Sequence, residues 1–276
     1  MINSIDLLKE EIKPYKRVLV AFSGGVDSTF LLKMCVDVLG PENVFAATGA
    51  SETYTSGELE FAKKTASDLG VRHIILITDE LKDEDFASNT KLRCYHCKKN
   101  FFSKLRETAD KENIQIILDG TNYDDRDDYR PGRQAAKELG ILSPLLQVKI
   151  SKNEIRLHSK LIGLKTWDRP SNPCLASRIP YGMRITEEKL KVIAQAEDYM
   201  HNLGFINVRV RHHGSIARIE LFKRDMARFI DNGILEKTDQ FMKSLGFTWV
   251  ALDIGGYRTG SLNEVLEDIN NPVDNK

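Results

Sequence analysis

The chain has 276 residues, 41% of them hydrophobic and 29% charged, which suits a soluble globular protein and is long enough for two domains. Lys+Arg and Asp+Glu are equal at 40 each, so no global positive field favours RNA or DNA. No apolar run approaches membrane-spanning length, and the start is mixed in charge and lacks the basic and apolar regions of a signal peptide. A cytoplasmic protein is expected, with its four cysteines as thiols or metal ligands.

After an amphipathic first helix to about residue 12, residues 18–22 form an apolar run that predicts a buried strand. Ser23-Gly24-Gly25 then turns the chain into a helix carrying Asp27, Ser28 and an apolar face with Cys35, which stops at Gly40. Strand, glycine turn and helix N-terminus together bind anions, because free N–H groups and the helix dipole point at the ligand. Ser23, Ser28 and Thr29 add hydroxyls. The spacing fits neither G-x-x-x-x-G-K-[ST] nor G-x-G-x-x-G. It resembles the S-G-G-x-D-S signature of the PP-loop ATP pyrophosphatases, which imply ATP cleavage to AMP and pyrophosphate.

Further strands are predicted at 43–48, 73–78, 113–119 and, as a short fifth, 142–146, with helices at 55–69 and from the Cys94 region to about 111. Alternating strands and helices predict a parallel, doubly wound α/β sheet. Its ligand edge is formed by the carboxyl ends of the strands, which places Thr48 near the nucleoside of ATP and also brings Asp119 and Thr121 to that edge. The acidic stretch with Asp124, Asp125, Asp127 and Asp128 reads either as a solvated loop or as a holder of Mg²⁺ beside the phosphates. Ser151 and Glu154 form a capping box for a helix at 151–162 that reads as structural.

Cys35 reads as core. Cys94 and Cys97 share one face at the start of a helix, and Cys174 lies in a proline-punctuated loop flanked by Arg169 and Arg178. Two adjacent cysteines and a remote one suit a cubane cluster with one iron open to a small anion. The alternatives are Cys174 acting alone as sulfur source or nucleophile, a zinc site completed by His96, and a Cys94–Cys97 disulfide. A smaller α+β domain follows, with helix 186–203, strands 206–211, 216–221 and 247–254, and helices near 223–232 and 234–245. Alternation directs Ile206, Val208 and Val210 to a core and gathers Arg209, Arg211 and Arg218 on the opposite face. Those guanidiniums, with Arg258 in the glycine-rich segment after the last strand, suit a phosphate or form a solvated face.

The combination S-G-G-V-D-S, D-D-Y-R-P-G, P-C-x-x-S-R-x-P-Y-G, V-R-V-R-x-H, I-A-R-I-E-L and L-D-I-G-G-Y-R-T-G resembles the LarE family of sulfur transferases from about residue 5 to 265. The resemblance implies a PP-loop domain at 1–168, a cysteine-bearing linker at 169–185 and a substrate and oligomerisation domain at 186–276. It implies adenylylation of a pyridinium biscarboxylate mononucleotide followed by sulfur insertion, on the route to a nickel-pincer cofactor. ATP would sit on Ser23, Gly24, Gly25, Asp27, Ser28 and Thr48 with Mg²⁺. Cys94, Cys97 and Cys174 would hold a [4Fe-4S] cluster carrying sulfide, as in the three-cysteine branch, or Cys174 would give up its own sulfur. Glu197 matches an acidic site residue, and Arg178, Arg209, Arg211 and Arg258 would meet the substrate phosphate. The implied partners are the small-molecule substrate, sulfide or a sulfur-donor protein, and further copies of the chain in a homo-oligomer; neither nucleic acid nor membrane is implied. An iron–sulfur tRNA thiolase is the competing activity, disfavoured by zero net charge and the lack of an RNA-binding module. An amide-forming PP-loop synthetase leaves the three cysteines without a role, and a non-catalytic ATP-binding or iron–sulfur carrier would release no pyrophosphate.

Overall fold

A computed structural model describes residues 3–54, 56–127, 131–170, 173–230, 233–258 and 260–264. Asp128, Tyr129 and Arg130 of the acidic motif, Thr259 of the last motif and the C-terminal tail lie outside the described residues. Two compact units form, Met1–Asn172 and Pro173–Lys276, so the division falls inside the segment read as a linker. No described helix is long and apolar enough to cross a membrane.

The first unit runs α1 (Ser4–Ile12), β1 (Val18–Ala21), α2 (Val26–Leu39), β2 (Val44–Ala50), α3 (Ser56–Asp68), β3 (Arg72–Ile77), α4 (Glu84–Ala87), α5 (Arg93–Lys111), β4 (Ile116–Leu118), α6 (Gly132–Glu138), α7 (Pro144–Gln147) and α8 (Lys152–Leu161). The strands are parallel in the order β3-β2-β1-β4. Val18, Leu19 and Val20 are fully buried because both sheet faces are covered, which explains the unbroken apolar run. One face packs on α1, α2, α3 and α8 through Leu8, Phe30, Ala62 and Ile155. The other packs on α5 and α6 through Phe102, Leu105 and Ala135. This is the doubly wound α/β sheet expected from the pattern. Cys35 lies in the first of these cores, where burial pushes its thiol pKa well above the ordinary value.

The fifth strand does not form. Leu142 makes a single parallel bridge to Leu118, and Pro144 then opens α7. Proline has no N–H for a ladder, and its fixed φ suits the first helical turn. The chain proceeds from β1 outward to β2 and β3, then returns to β4 on the far side of β1. A crevice therefore opens between the carboxyl ends of β1 and β4, where ligands of such sheets bind.

The second unit contains α9 (Glu187–Asn202), β5 (Val208–His213), β6 (Ile216–Leu221), α10 (Lys223–Ile230), α11 (Ile234–Ser244) and β7 (Trp249–Leu252). Its sheet has the order β5-β6-β7, antiparallel between β5 and β6 and parallel between β6 and β7. Val208, Val210, Ala217 and Ile219 pack on Ala196, Met200, Phe229 and Met242 of the helices. Ile206 does not join this core: it is 73% exposed, because the strand starts two residues later.

Candidate active site

The N–H of Phe22 donates to Ala47 O at 2.8 Å, tying the end of β1 to β2. The chain then turns at Gly24 (φ 71°), where a Cβ would press to 3.2 Å from the Cβ of Ala62. Gly25 N-caps α2 and has no side chain to occupy the first N–H groups, the arrangement that receives an anion. Ser23 and Ser28 Oγ lie 3.1 Å apart and bond to one another. The fold thus brings Ser23, Gly24, Gly25, Asp27 and Ser28 into one turn. Thr48 borders it from β2. Its hydroxyl donates to Phe22 O at 2.6 Å, so the 2.7 Å bond from His73 Nε2 is donated by the ring, which fixes the tautomer. Burial lowers the His73 pKa, and Lys63 adds to the effect. A small depression beside the turn is lined by Ser23, Thr48, Gly49, Tyr54, Glu58 and Leu59.

From the other side of the crevice, Gly120 follows β4 so closely that a Cβ there would lie 2.9 Å from Ser28 N. Asp119 accepts from Thr121 N, Thr121 Oγ1 and Ser143 Oγ, so it serves to hold its own loop. Asp124 and Asp125 are neither a plain solvated run nor an open cation cradle. Asp124 Oδ2 accepts the N–H of Lys152 at 2.8 Å, and buried Asp125 accepts that of Asn122 at 3.0 Å, which fastens this loop to α8.

The capping box at Ser151 and Glu154 forms as expected, yet α8 is more than structural. Its first residue, Lys152, places its ammonium on Asp27 Oδ2 at the edge of the glycine turn. Sequence reasoning missed Lys152. The available signal was its position, since a cation at the first helical residue opposes the dipole and requires a compensating anion.

Cys94 and Cys97 lie in the first two turns of α5 in the first unit, and Cys174 N-caps a 3-10 turn, Leu175–Arg178, in the second. All four cysteines carry thiols, so the Cys94–Cys97 disulfide is not formed. His96 faces Asp85 at 3.5 Å, and within each unit no group of three His, Cys, Asp or Glu among the described residues is arranged to hold a metal. His96, the residue that would complete a zinc site with Cys94, Cys97 and Cys174, is thus turned toward Asp85. Cys97 Sγ lies 3.9 Å from Glu80 Oε1, a buried carboxyl whose pKa is pushed up by desolvation, with Thr78 Oγ1 donating at 2.9 Å.

In the second unit the arginines gather on one sheet face, but as a paired layer and not as a row of open forks. Arg178 is 1% exposed and meets Glu197 through Nε and Nη2 at 2.9 and 2.8 Å. Its Nη1 donates to the carbonyls of Pro173 and Cys174 and to Ser177 Oγ, so this guanidinium holds the Cys174 loop. Arg211 is engaged in the same way by both oxygens of Glu220, Ser177 O and Ser261 Oγ. Arg218 joins Glu220 and Asp253, and Arg258 pairs with Glu264. Arg209 donates to Val208 O and lies over Tyr257. Glu197, which alone would read as an exposed helix charge, is buried. Desolvation pushes its carboxyl up, but Arg178, Arg209 and the N–H of Val210 outweigh this and hold it below the usual range.

Residues 2–110 match the NAD synthase family, a match that lies within the first unit. The chain is 38% identical over 255 residues, 92% of each chain, to the pyridinium-3,5-bisthiocarboxylic acid mononucleotide synthase of Lactiplantibacillus plantarum. The chain belongs to the LarE family. A second relative, an uncharacterised protein of Synechocystis sp., is 42% identical over 264 residues, 96% of this chain and 98% of its own. An NH₃-dependent NAD⁺ synthetase of Methanocaldococcus jannaschii is 29% identical over 157 residues, 47% of this chain and 61% of its own. Likeness to the LarE synthase therefore takes in both units.

Proposed function

We propose that this LarE-family enzyme adenylylates the carboxylates of pyridinium-3,5-biscarboxylic acid mononucleotide and replaces an oxygen of each with sulfur. The observation that carries the reading is the Ser23–Ser28 turn at the switch point of the sheet, in a chain alike over 92% of its length to a synthase named for the thiolated product. ATP lies with its β,γ-phosphates on the turn and its nucleoside toward Thr48. Asp27 is a partly buried carboxylate at the rim of the turn, a hard oxygen donor that fits Mg²⁺, which would screen the phosphates. A substrate carboxylate oxygen bonds to the α-phosphorus while the Pα–O–Pβ bond breaks, and pyrophosphate leaves with the electron pair. The N–H groups of α2 stabilise that charge. Sulfur then bonds to the activated carbonyl carbon and AMP leaves. The mononucleotide phosphate meets Arg258, the partly exposed guanidinium of this group, with the buried Arg178, Arg209 and Arg211 forming the layer behind it and Glu197 keeping the Arg178 fork in plane.

The thiols of Cys94, Cys97 and Cys174 fit a [4Fe-4S] cluster in donor type, since thiolates are its usual ligands and none of these is tied up in a disulfide. Bound there, a cluster held by these three cysteines would supply an open iron for exogenous sulfide. Without it, the Cys174 thiolate attacks the activated carbonyl, and β-elimination then takes the Cα proton and breaks the Cβ–Sγ bond, releasing the thiocarboxylate and leaving dehydroalanine at position 174. The test is turnover of the full chain, purified anaerobically, with ATP and the biscarboxylate mononucleotide, following pyrophosphate and thiocarboxylate beside iron and sulfide counts. Cys174→Ala is expected to keep pyrophosphate release within about twofold while thiocarboxylate formation is lost. Thiocarboxylate from that variant overturns the role of Cys174, and no pyrophosphate from the unaltered chain overturns the activity.

A further inference from the structure

Arg169 stands on the rim of the same turn. Its guanidinium stacks on Phe61 of α3, Cζ 3.9 Å from the ring centroid, and Nη1 donates to Gly24 O at 3.3 Å. Gly24 is the left-handed residue that shapes the anion-binding turn. The other cation there, Lys152, is paired with Asp27. Arg169 makes no ion pair among the described residues, and Glu58 acts on it only at longer range. The main chain of its own segment is held by another residue, Arg156 of α8, which donates to the carbonyls of Trp167 and Arg169 at 2.8 Å each. A half-buried guanidinium with one carbonyl and one ring for company retains N–H donors that a phosphate fork would satisfy.

We propose that Arg169 takes the β,γ-pyrophosphate end of ATP and stabilises the charge it gathers as it departs, a role that rests on the reading that ATP is split at the Pα–O–Pβ bond. As that bond breaks, the electron pair leaves with pyrophosphate. Arg169 keeps its protons and contributes hydrogen bonds that strengthen as charge develops. Chain positions 169 and 174 are five residues apart, so the cation that answers the nucleotide and the cysteine proposed to handle sulfur belong to one short stretch of sequence.

The experiment is calorimetric titration of the full chain with inorganic pyrophosphate and, separately, with AMP, both with Mg²⁺. Arg169→Gln is expected to weaken pyrophosphate about 10- to 100-fold and to leave AMP within about twofold. Arg169→Lys should fall between, since it keeps the charge and loses the fork. In turnover, kcat for pyrophosphate release should fall more than KM for ATP rises. Unaltered pyrophosphate affinity in Arg169→Gln overturns the proposal, and so does an equal loss for both ligands, the mark of a structural role. If the glutamine variant does not fold, unaltered pyrophosphate affinity in Arg169→Lys overturns the assignment of the fork. A native chain that binds pyrophosphate but releases none from ATP overturns the activity proposed above, while Arg169 is still judged by its titration.

Discussion

Glu197→Ala is expected to cost the second unit about 3–5 kcal/mol, the usual penalty for leaving one partner of a buried ion pair uncompensated. The carboxylate it removes accepts both parallel N–H bonds of Arg178 and the N–H of Val210 on β5. The guanidinium left behind is 1% exposed, and few waters could reach it. Urea unfolding followed by Trp249 fluorescence, in a chain whose Trp167 is replaced by Phe, reports on this unit. An unchanged midpoint would show that the pair contributes nothing. The pH dependence has a definite sign. Because the folded carboxyl is held below its unfolded value, its contribution is present above the ordinary carboxylate range and is lost as pH falls through the depressed pKa. Glu197→Gln should remove that acid-side slope. The same change loosens Arg178 from the Cys174 carbonyl, so thiol reactivity at Cys174 should change in parallel.

Gly120→Ala is expected to lower pyrophosphate release about 100-fold, the scale on which a shift of about 1 Å in a reacting group acts. The added Cβ would lie 2.9 Å from Ser28 N and 3.0 Å from Ser28 Cα. Both are backbone atoms, so no rotamer relieves the clash, and either the β4 loop or the head of α2 must move. Loss of stability of about 1–3 kcal/mol should accompany it. Gly57→Ala on α3, where a Cβ meets nothing within 4 Å, is the control and should behave as the unaltered chain. Initial rates of pyrophosphate release for the two variants decide the matter; equal rates would mean that β4 does not position the turn.

The sheet was legible because its strands are short apolar runs and its helices keep a 3.6-residue stripe, patterns set by burial alone. Residues 142–146 misled because Leu142, Leu145 and Leu146 look like a strand, while the helix-starting Pro144 carries the decisive information. Glu197 could have been recognised as buried. It falls on the stripe Leu190, Ile193, Met200, at the position where an apolar residue belongs, and a carboxylate there demands a cation. Its partner Arg178 could not be found by period, because it comes from an irregular segment nineteen residues earlier. The glycine turn declared itself through composition. Gly120, Lys152 and Arg169 did not, because what makes them part of the site is closeness across the crevice and not spacing along the chain.

Cys35 sits on α2, the helix whose first turn faces the anion site, with its sulfur sealed in the core and its thiolate form suppressed. It is therefore a built-in gauge of that helix. In metal-free protein an alkylating reagent should modify Cys94, Cys97 and Cys174 and spare Cys35 until the first unit opens. The rate at which the fourth thiol is captured then measures the free energy holding the nucleotide platform shut, and a tightly bound nucleotide should slow that capture in proportion to its occupancy.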